Sequence, residues 1–305
     1  IERTSRAVGD SVFSSLLRSD ATFGGVDFEH GMQKRRWIVS GFLAGSDVRG
    51  SPQAIAATQR TSTHYFQRPD ASYLTFDSTR TAMRGYIGEV ALAKQGSLFG
   101  SIAYKETSPG LELNDLGQQN RTDFRALSIL VGRQNYAAGK HLNSYSAFVY
   151  SNDTWNFGGA PIYHGYTGQT NVTFLNLWSA SAGAGISPKY YSDRLLRGGP
   201  QALVPASWNA SASVGSDSRR PVVGSLDGQY SHDASGASNR SASLSIDLRP
   251  SATMHVNVGP SLSAQHGTAQ YVRAVSDALA TDTYGRRYLF ADLDPLGLVE
   301  RNGPA

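Results

Sequence analysis

The fold class this sequence predicts is all-β: a large antiparallel up-and-down β-barrel that crosses a membrane with its strands. Three observations predict it. The first is long, strict alternation between Asn239 and Gln265. Ala242, Leu244, Ile246 and Leu248 fall on one face, and Ser241, Ser243, Ser245, Asp247 and Arg249 on the other. After Pro250-Ser251-Ala252, Met254, Val256, Val258, Pro260, Leu262 and Ala264 alternate with His255, Asn257, Gly259, Ser261, Ser263 and Gln265. Period two marks a strand, because successive side chains point to opposite faces. Each arm runs about 11–13 residues, against about 5–6 in soluble domains and about 9–11 for a tilted membrane-crossing strand.

The second observation is an alternation of connection lengths. Connections at Gln33, Gln95, Gln134, Ser187, Asp217 and Pro250 read as short; those at Asp47, Thr107, Asp153, Arg197 and His266 read as long. Outer-membrane barrels have short turns at one end and longer loops at the other, whereas a Greek-key sandwich has no reason to alternate this way. The third is composition. Only 17% of residues are charged and 40% hydrophobic, with 32 Gly and 15 Tyr. Soluble proteins carry about 25% charged residues. A lipid-facing band around a polar lumen fits this balance, and so does a secreted β-sandwich.

Taken in order, Ser11–Arg18 reads as a short strand-like start, and Thr22–His30 leads to a turn near Gln33. Arg35–Ser46 is a long strand, followed by a polar loop from Asp47 to Ser72. Tyr73–Lys94 is extended and turns at Gln95-Gly96 into Ser97–Glu106. A loop, Thr107–Arg121, precedes Asp123–Arg133 and His141–Asn152. A second long loop spans Asp153–Thr170, and Asn171–Gly185 is the next strand. Tyr190–Leu196 rises to a loop at Arg197–Pro205, and Trp208–Val214 alternates again. Val222–His232 leads to the hairpin, whose second arm ends near His266; Arg287–Asp292 is the last strand. The total is about 13–15 strands. The period is mixed in two places: Leu127, Ile129 and Val131 share a face with Arg125 and Arg133, and Glu89 shares one with Ile87 and Ala91. Bulges or an inserted plug would each explain this.

Hydrocarbon satisfies no backbone polar group, so every wall strand needs two neighbours. The sequence ends without a terminal aromatic strand and is expected to be an excerpt of a longer barrel whose missing strands close the wall. No apolar run approaches the ~18–20 residues of a membrane helix. The absence of cysteine removes disulfides and thiolate chemistry. The net charge of +4 comes with no basic run interleaved with aromatics, so no nucleic-acid partner is expected.

Six separated words then come in one order: SGFLAGS at 40–46, HYFQRPDASY at 64–73, SPGLELNDLG at 108–117, DRLLRGGP at 193–200, GSDSRRPV at 215–222 and YGRRYLFADLD at 284–294. In these the chain resembles the bacterial outer-membrane barrel family called domain of unknown function 5916. The resemblance implies a periplasmic carbohydrate-binding-type sandwich ahead of the barrel, absent from residues 1–305. It carries over no functional residues.

Signatures of catalysis are missing: no Gly-x-Ser-x-Gly elbow, no phosphate loop ending in Lys-Ser/Thr and no His-Glu-x-x-His. No cofactor and no metal is expected. Glu112, Asn114 and Asp115 offer oxygens to a hard cation, but loop solubility explains them equally. Two groups stand out as ligand contacts. His64, Tyr65, Phe66, Arg68 and Asp70 combine aromatic faces with charged hydrogen-bonding groups, suited to a sugar ring or to packing over the barrel mouth. Asp193, Arg194 and Arg197 precede Gly198-Gly199-Pro200 at a rim, suited to ion pairs that tie loop to wall or to a ligand. Trp208, Tyr230 and Tyr271 read as membrane-interface residues. The expected partners are a lipid bilayer, a glycan or peptide ligand and a periplasmic domain. The expected role is non-enzymatic transport, export or envelope assembly in the outer membrane. The alternative is the barrel anchor of a carbohydrate-binding or carbohydrate-active protein.

Overall fold

The computed structural model describes residues 1–6, 11–251, 253–294 and 297–301. Ala252 of the expected hairpin turn, and part of the final stretch, lie outside the described residues. The strands are β1 (Glu2–Ser5), β2 (Arg18–Met32), β3 (Trp37–Gly50), β4 (Ala82–Lys94), β5 (Leu98–Thr107) and β6 (Phe124–Asn135). They continue with β7 (Leu142–Trp155), β8 (Pro161–Phe174), β9 (Ser179–Ser187), β10 (Tyr190–Ser192), β11 (Ala202–Val204) and β12 (Ser207–Gly215). The last six are β13 (Val222–Asp233), β14 (Ser238–Ser251), β15 (Met254–Val258), β16 (Ser261–Ser276), β17 (Arg286–Asp294) and β18 (Gly297–Arg301). Helices are α1 (Ser11–Leu16) and α2 (Pro52–Arg60).

All but β10 and β11 form one 16-stranded antiparallel sheet in which strands pair in chain order, skipping the β10–β11 ribbon, with β15 and β16 both pairing with β14. The sheet is open: β1 and β18 are its edges among the described residues, and it does not close on itself. The hairpin forms with matched faces, Ile246 opposite Val258 and Ala242 opposite Leu262. Gly259-Pro260 interrupts its second arm, because proline has no N–H to give the ladder.

Several sequence expectations need correction. Ser11–Leu16 is helical, not strand-like. Residues 161–170 belong to β8, so the loop after β7 spans only 156–160. A turn at Leu175–Trp178 splits the stretch read as one strand from Asn171 to Gly185. Ser187-Pro188 therefore opens a long connection, not a short turn. β16 continues to Ser276, so there is no loop at His266. With these changes the longest connections all fall at one end of the sheet, although 156–160 and 234–237 at that end are as short as the turns opposite. The connections 33–36, 95–97, 136–141, 175–178 and 216–221 lie at one end of the sheet; 51–81, 108–123, 156–160, 188–206, 234–237 and 277–285 lie at the opposite end.

The two faces differ in chemistry. Cross-strand partners share a face. One face carries Leu92, Ile102, Ile129, Tyr166, Ile186 and Trp208, all exposed, in a register-matched row that Ser151 alone interrupts. Among the described residues nothing covers this side: Val26 and Leu262 are each 75% exposed and Val149 is 62% exposed. The opposite face reads Gln169, Gly183, Ser211, Gln229, Ser241 and Ser263 in one row. Arg125 and Arg133 bracket the apolar residues of β6, about 26 Å apart along the strand at ~3.3 Å per residue. The register from β4 to β6 is unbroken. No bulge is needed there: the arginines mark the ends of the band, and Glu89 faces inserted loops.

Those loops cover the hydroxyl-bearing face at its long-loop end. Ile55 of α2, Phe66 and Met83 of β4 form one apolar cluster; Leu196, Ala202 and Tyr288 of β17 form another. The loop cluster thus touches β4 and β17, which stand ten strand spacings, about 48 Å, apart along the sheet. A few residues bridge that span, Phe66 through Arg68 and Asp70 to Gln201 and Ala202. The sheet therefore curls around the loops. Gly85 permits the closest approach, since a Cβ there would lie 2.0 Å from the Leu111 backbone nitrogen.

Candidate functional site

The loop cluster begins with α2, whose start is locally encoded. The Ser51 hydroxyl accepts from the Ala54 amide at 3.2 Å and Pro52 takes the first turn. This buries Ile55 and Gln59; the Gln59 amide exchanges hydrogen bonds with the Asp77 backbone at 2.8 and 2.9 Å. The chain then carries His64–Asp70 into the interior.

Two charge networks hold the loops. In the first, the buried His64 ring lies 2.9 Å from the Glu112 carboxylate through Nε2 and 2.9 Å from the Pro109 carbonyl through Nδ1. Arg18 reaches Glu112 at 3.5 Å and Asp115 at 2.5 Å, and Arg6 reaches Asp115 at 2.7 Å. Glu112 and Asp115, considered above as cation ligands, thus face arginines, and no cluster fit for a metal exists among the described residues. Burial works to raise the Glu112 carboxyl, but the His64 hydrogen bond, the Arg18 charge and the Asn114 amide outweigh it and hold it below the usual range. Asp115 is held low in the same sense: burial is outweighed by hydrogen bonds from Arg18 and Arg6.

The second network centres on Arg68, which is buried. Its guanidinium meets Asp70 at 3.3 Å, Asp193 at 3.3 Å and Asp123 at 3.9 Å. Arg121 donates to both oxygens of Asp193 at 2.8 Å. Tyr73 donates to Asp123 at 2.6 Å, and Asp70 accepts from the Gln201 amide at 2.9 Å. Burial pushes the Asp123 carboxyl up despite these donors.

The eight residues singled out in the sequence come together in this cluster. His64, Phe66, Arg68 and Asp193 are buried among protein partners. His64 and Phe66 meet edge to face at 5.8 Å. Tyr65 lies under the Arg194 guanidinium, 5.8 Å from its ring centre, and Asp70 links two loops. Arg194 donates to the carbonyls of Ser62, Thr63 and Asn120. Arg197 is exposed and stacks over Tyr271 at 5.2 Å. Tyr271 therefore turns toward the loops and not to a membrane interface, packed beside Leu196, Ala202 and Tyr288. Trp208 and Tyr230 stay on the uncovered face, 5.2 Å apart.

Tyr73, Arg121 and Asp123 were not singled out in the sequence, nor were Lys105, Tyr163 and Tyr190, which line a cavity beside the network. No local pattern marks the first three: Tyr73 meets Asp123 at a separation of 50 residues and Arg121 meets Asp193 at 72.

Glu112 and Asp115 set an acid dependence. Their folded-state pKa values are lowered from 4.5 and 3.8, so their stabilisation is complete above those values and is lost as pH falls through the lower folded ones. Asp123, raised, contributes with the opposite sign. Amide protection over 108–117 is expected to be high at pH 6 and reduced at pH 3, with Glu112→Gln flattening the difference. Equal protection at both pH values would refute this assignment.

Fold and site define an all-β protein with one large, curled antiparallel sheet and an ion-paired loop cluster on its polar face. The chain belongs to the family described as domain of unknown function DUF5916, whose profile matches residues 20–291. No curated protein and no solved structure matches the chain.

Proposed function

We propose that the uncovered apolar face lies against lipid, that the sheet is the wall of an outer-membrane β-barrel, and that its plugged lumen serves uptake, export or envelope assembly without catalysis of its own. The observation that carries this reading is the pairing of a continuous exposed apolar face with a hydroxyl-lined opposite face. A soluble sandwich buries its apolar face against a second sheet, and a monomer in water rarely exposes apolar patches beyond a few hundred Å². Strand lengths support it: β2, β3, β7, β8, β14 and β16 have 14–16 residues. Tyr86, Tyr104, Tyr166, Trp208 and Tyr230 gather near the long-loop end of the uncovered face, where a bilayer interface favours amphipathic rings.

The reading requires the β1 and β18 edges to find partners, because hydrocarbon leaves no strand edge unpaired. The role of the loops as a recognition surface follows from their position over the lumen. The intact protein is expected to sediment with the outer membrane and to need detergent for extraction; recovery in the soluble periplasm would overturn the reading.

A further inference from the structure

Between the sheet and the loop cluster lies a cavity of about 610 Å³. Its size falls in the range of about 300–1,000 Å³ typical of small-ligand sites. The sheet contributes Lys105, Asn152, Thr154 and Tyr163; the loops contribute Arg121 and Arg194. The Tyr163 ring meets that of Tyr190 edge to face at 5.7 Å, giving the chamber one flat side.

The charges are unequal. Lys105 stands directly opposite Glu89 across the β4–β5 ladder, and both line the chamber. Arg121 shares Asp193 with Arg68, and its Nε is buried without a hydrogen-bond partner. The hydrogen bonds of the Arg194 guanidinium all go to backbone carbonyls, and its Nε is also buried and unsatisfied. Burial, then the neighbouring Arg121 charge, depresses its pKa to about 10. Tying three carbonyls needs donors but no charge, and the Asp193 carboxylate that offsets the Arg194 charge is already shared by Arg68 and Arg121. A planar guanidinium is matched to carboxylate and phosphate, and two of them line the chamber.

We propose that this cavity binds a small hydroxylated organic anion, its carboxylate or phosphate held by Arg194 and Arg121 with Lys105 across the chamber, and its hydroxyls met by Asn152, Thr154 and Ser128. The site is made by sheet and loops alone and stands whether or not the apolar face meets lipid. Titration calorimetry on the purified full-length protein with glucuronate, glucose 6-phosphate and glucose tests it. At least one anion is expected to bind about tenfold or more tighter than glucose, and the preferred one separates carboxylate from phosphate. Lys105→Gln, which removes no hydrogen bond from the loop cluster, is expected to weaken that anion about tenfold with the melting temperature unchanged. Arg194→Gln is expected to abolish the preference for anions over glucose. Should Arg194→Gln fail to fold, Lys105→Gln decides. Equal binding of glucose, no binding of any of the three at millimolar concentration, or undiminished affinity in Lys105→Gln would overturn the proposal.

Discussion

Leu244→Arg is expected to destabilise the intact protein in lipid by about 2–4 kcal/mol, the penalty for arginine at mid-depth on the outside of a membrane barrel. Ser243→Arg, one position away, is expected to be nearly neutral. Leu244 sits midway along β14 opposite Leu226, on the uncovered face, with 40% of its surface exposed. Ser243 faces the other way, opposite Asp227 on one side and Ser261 on the other. A guanidinium at 243 would find the Asp227 carboxylate among hydroxyls; one at 244 would find hydrocarbon. If the uncovered face met water instead, the asymmetry would vanish, because exposed surface substitutions stay within about 0.5 kcal/mol. Urea unfolding of both variants in lipid vesicles measures the difference. Equal stabilities would remove the membrane reading, since that reading alone makes adjacent positions so unequal.

The residues that made the sheet legible are those whose signal is local. Alternation from Ala242 to Leu248 and from Val256 to Leu262 encodes both faces and the register that pairs them. β8 was hidden because Gly165, Gly168 and several polar residues resemble a loop. In the fold Tyr163 lies over Gly165, where a Cβ would come 2.4 Å from the tyrosine hydroxyl, so a large neighbour fills what glycine leaves open. The turn at 175–178 was hidden for the opposite reason: Leu175, Leu177 and Trp178 read as strand, yet Leu177 takes a left-handed φ of 63°. The helix α2 carried a readable start in Ser51-Pro52 that alternation-seeking passed over. The ion-pair networks had no local signal. His64 and Glu112 are 48 residues apart and Arg68 and Asp193 are 125 apart, and only the curl of the sheet brings them together.

That convergence makes Arg68 the side chain whose loss should loosen the loops most. Arg68→Met is expected to cost about 3–5 kcal/mol, the penalty for leaving buried partners of a removed charge uncompensated. Asp70, Asp123 and Asp193 would lose their shared cation, and only Asp193 keeps another, Arg121. Arg68→Lys should rescue little, because one ammonium cannot reproduce the fork that reaches Asp70 through Nε and Asp193 through Nη1. Asp193→Asn in the Arg68→Met background should cost less than it does alone, since the carboxylate it removes is by then short of one partner. The expected readout is protease sensitivity at 62–70 and 193–201, with the strand signal in circular dichroism retained, because the ladder bonds from β5 to β16 do not pass through Arg68. A loss below about 1 kcal/mol would place this network with surface ion pairs, and the loops would then owe their position to the two apolar clusters at Phe66 and Leu196.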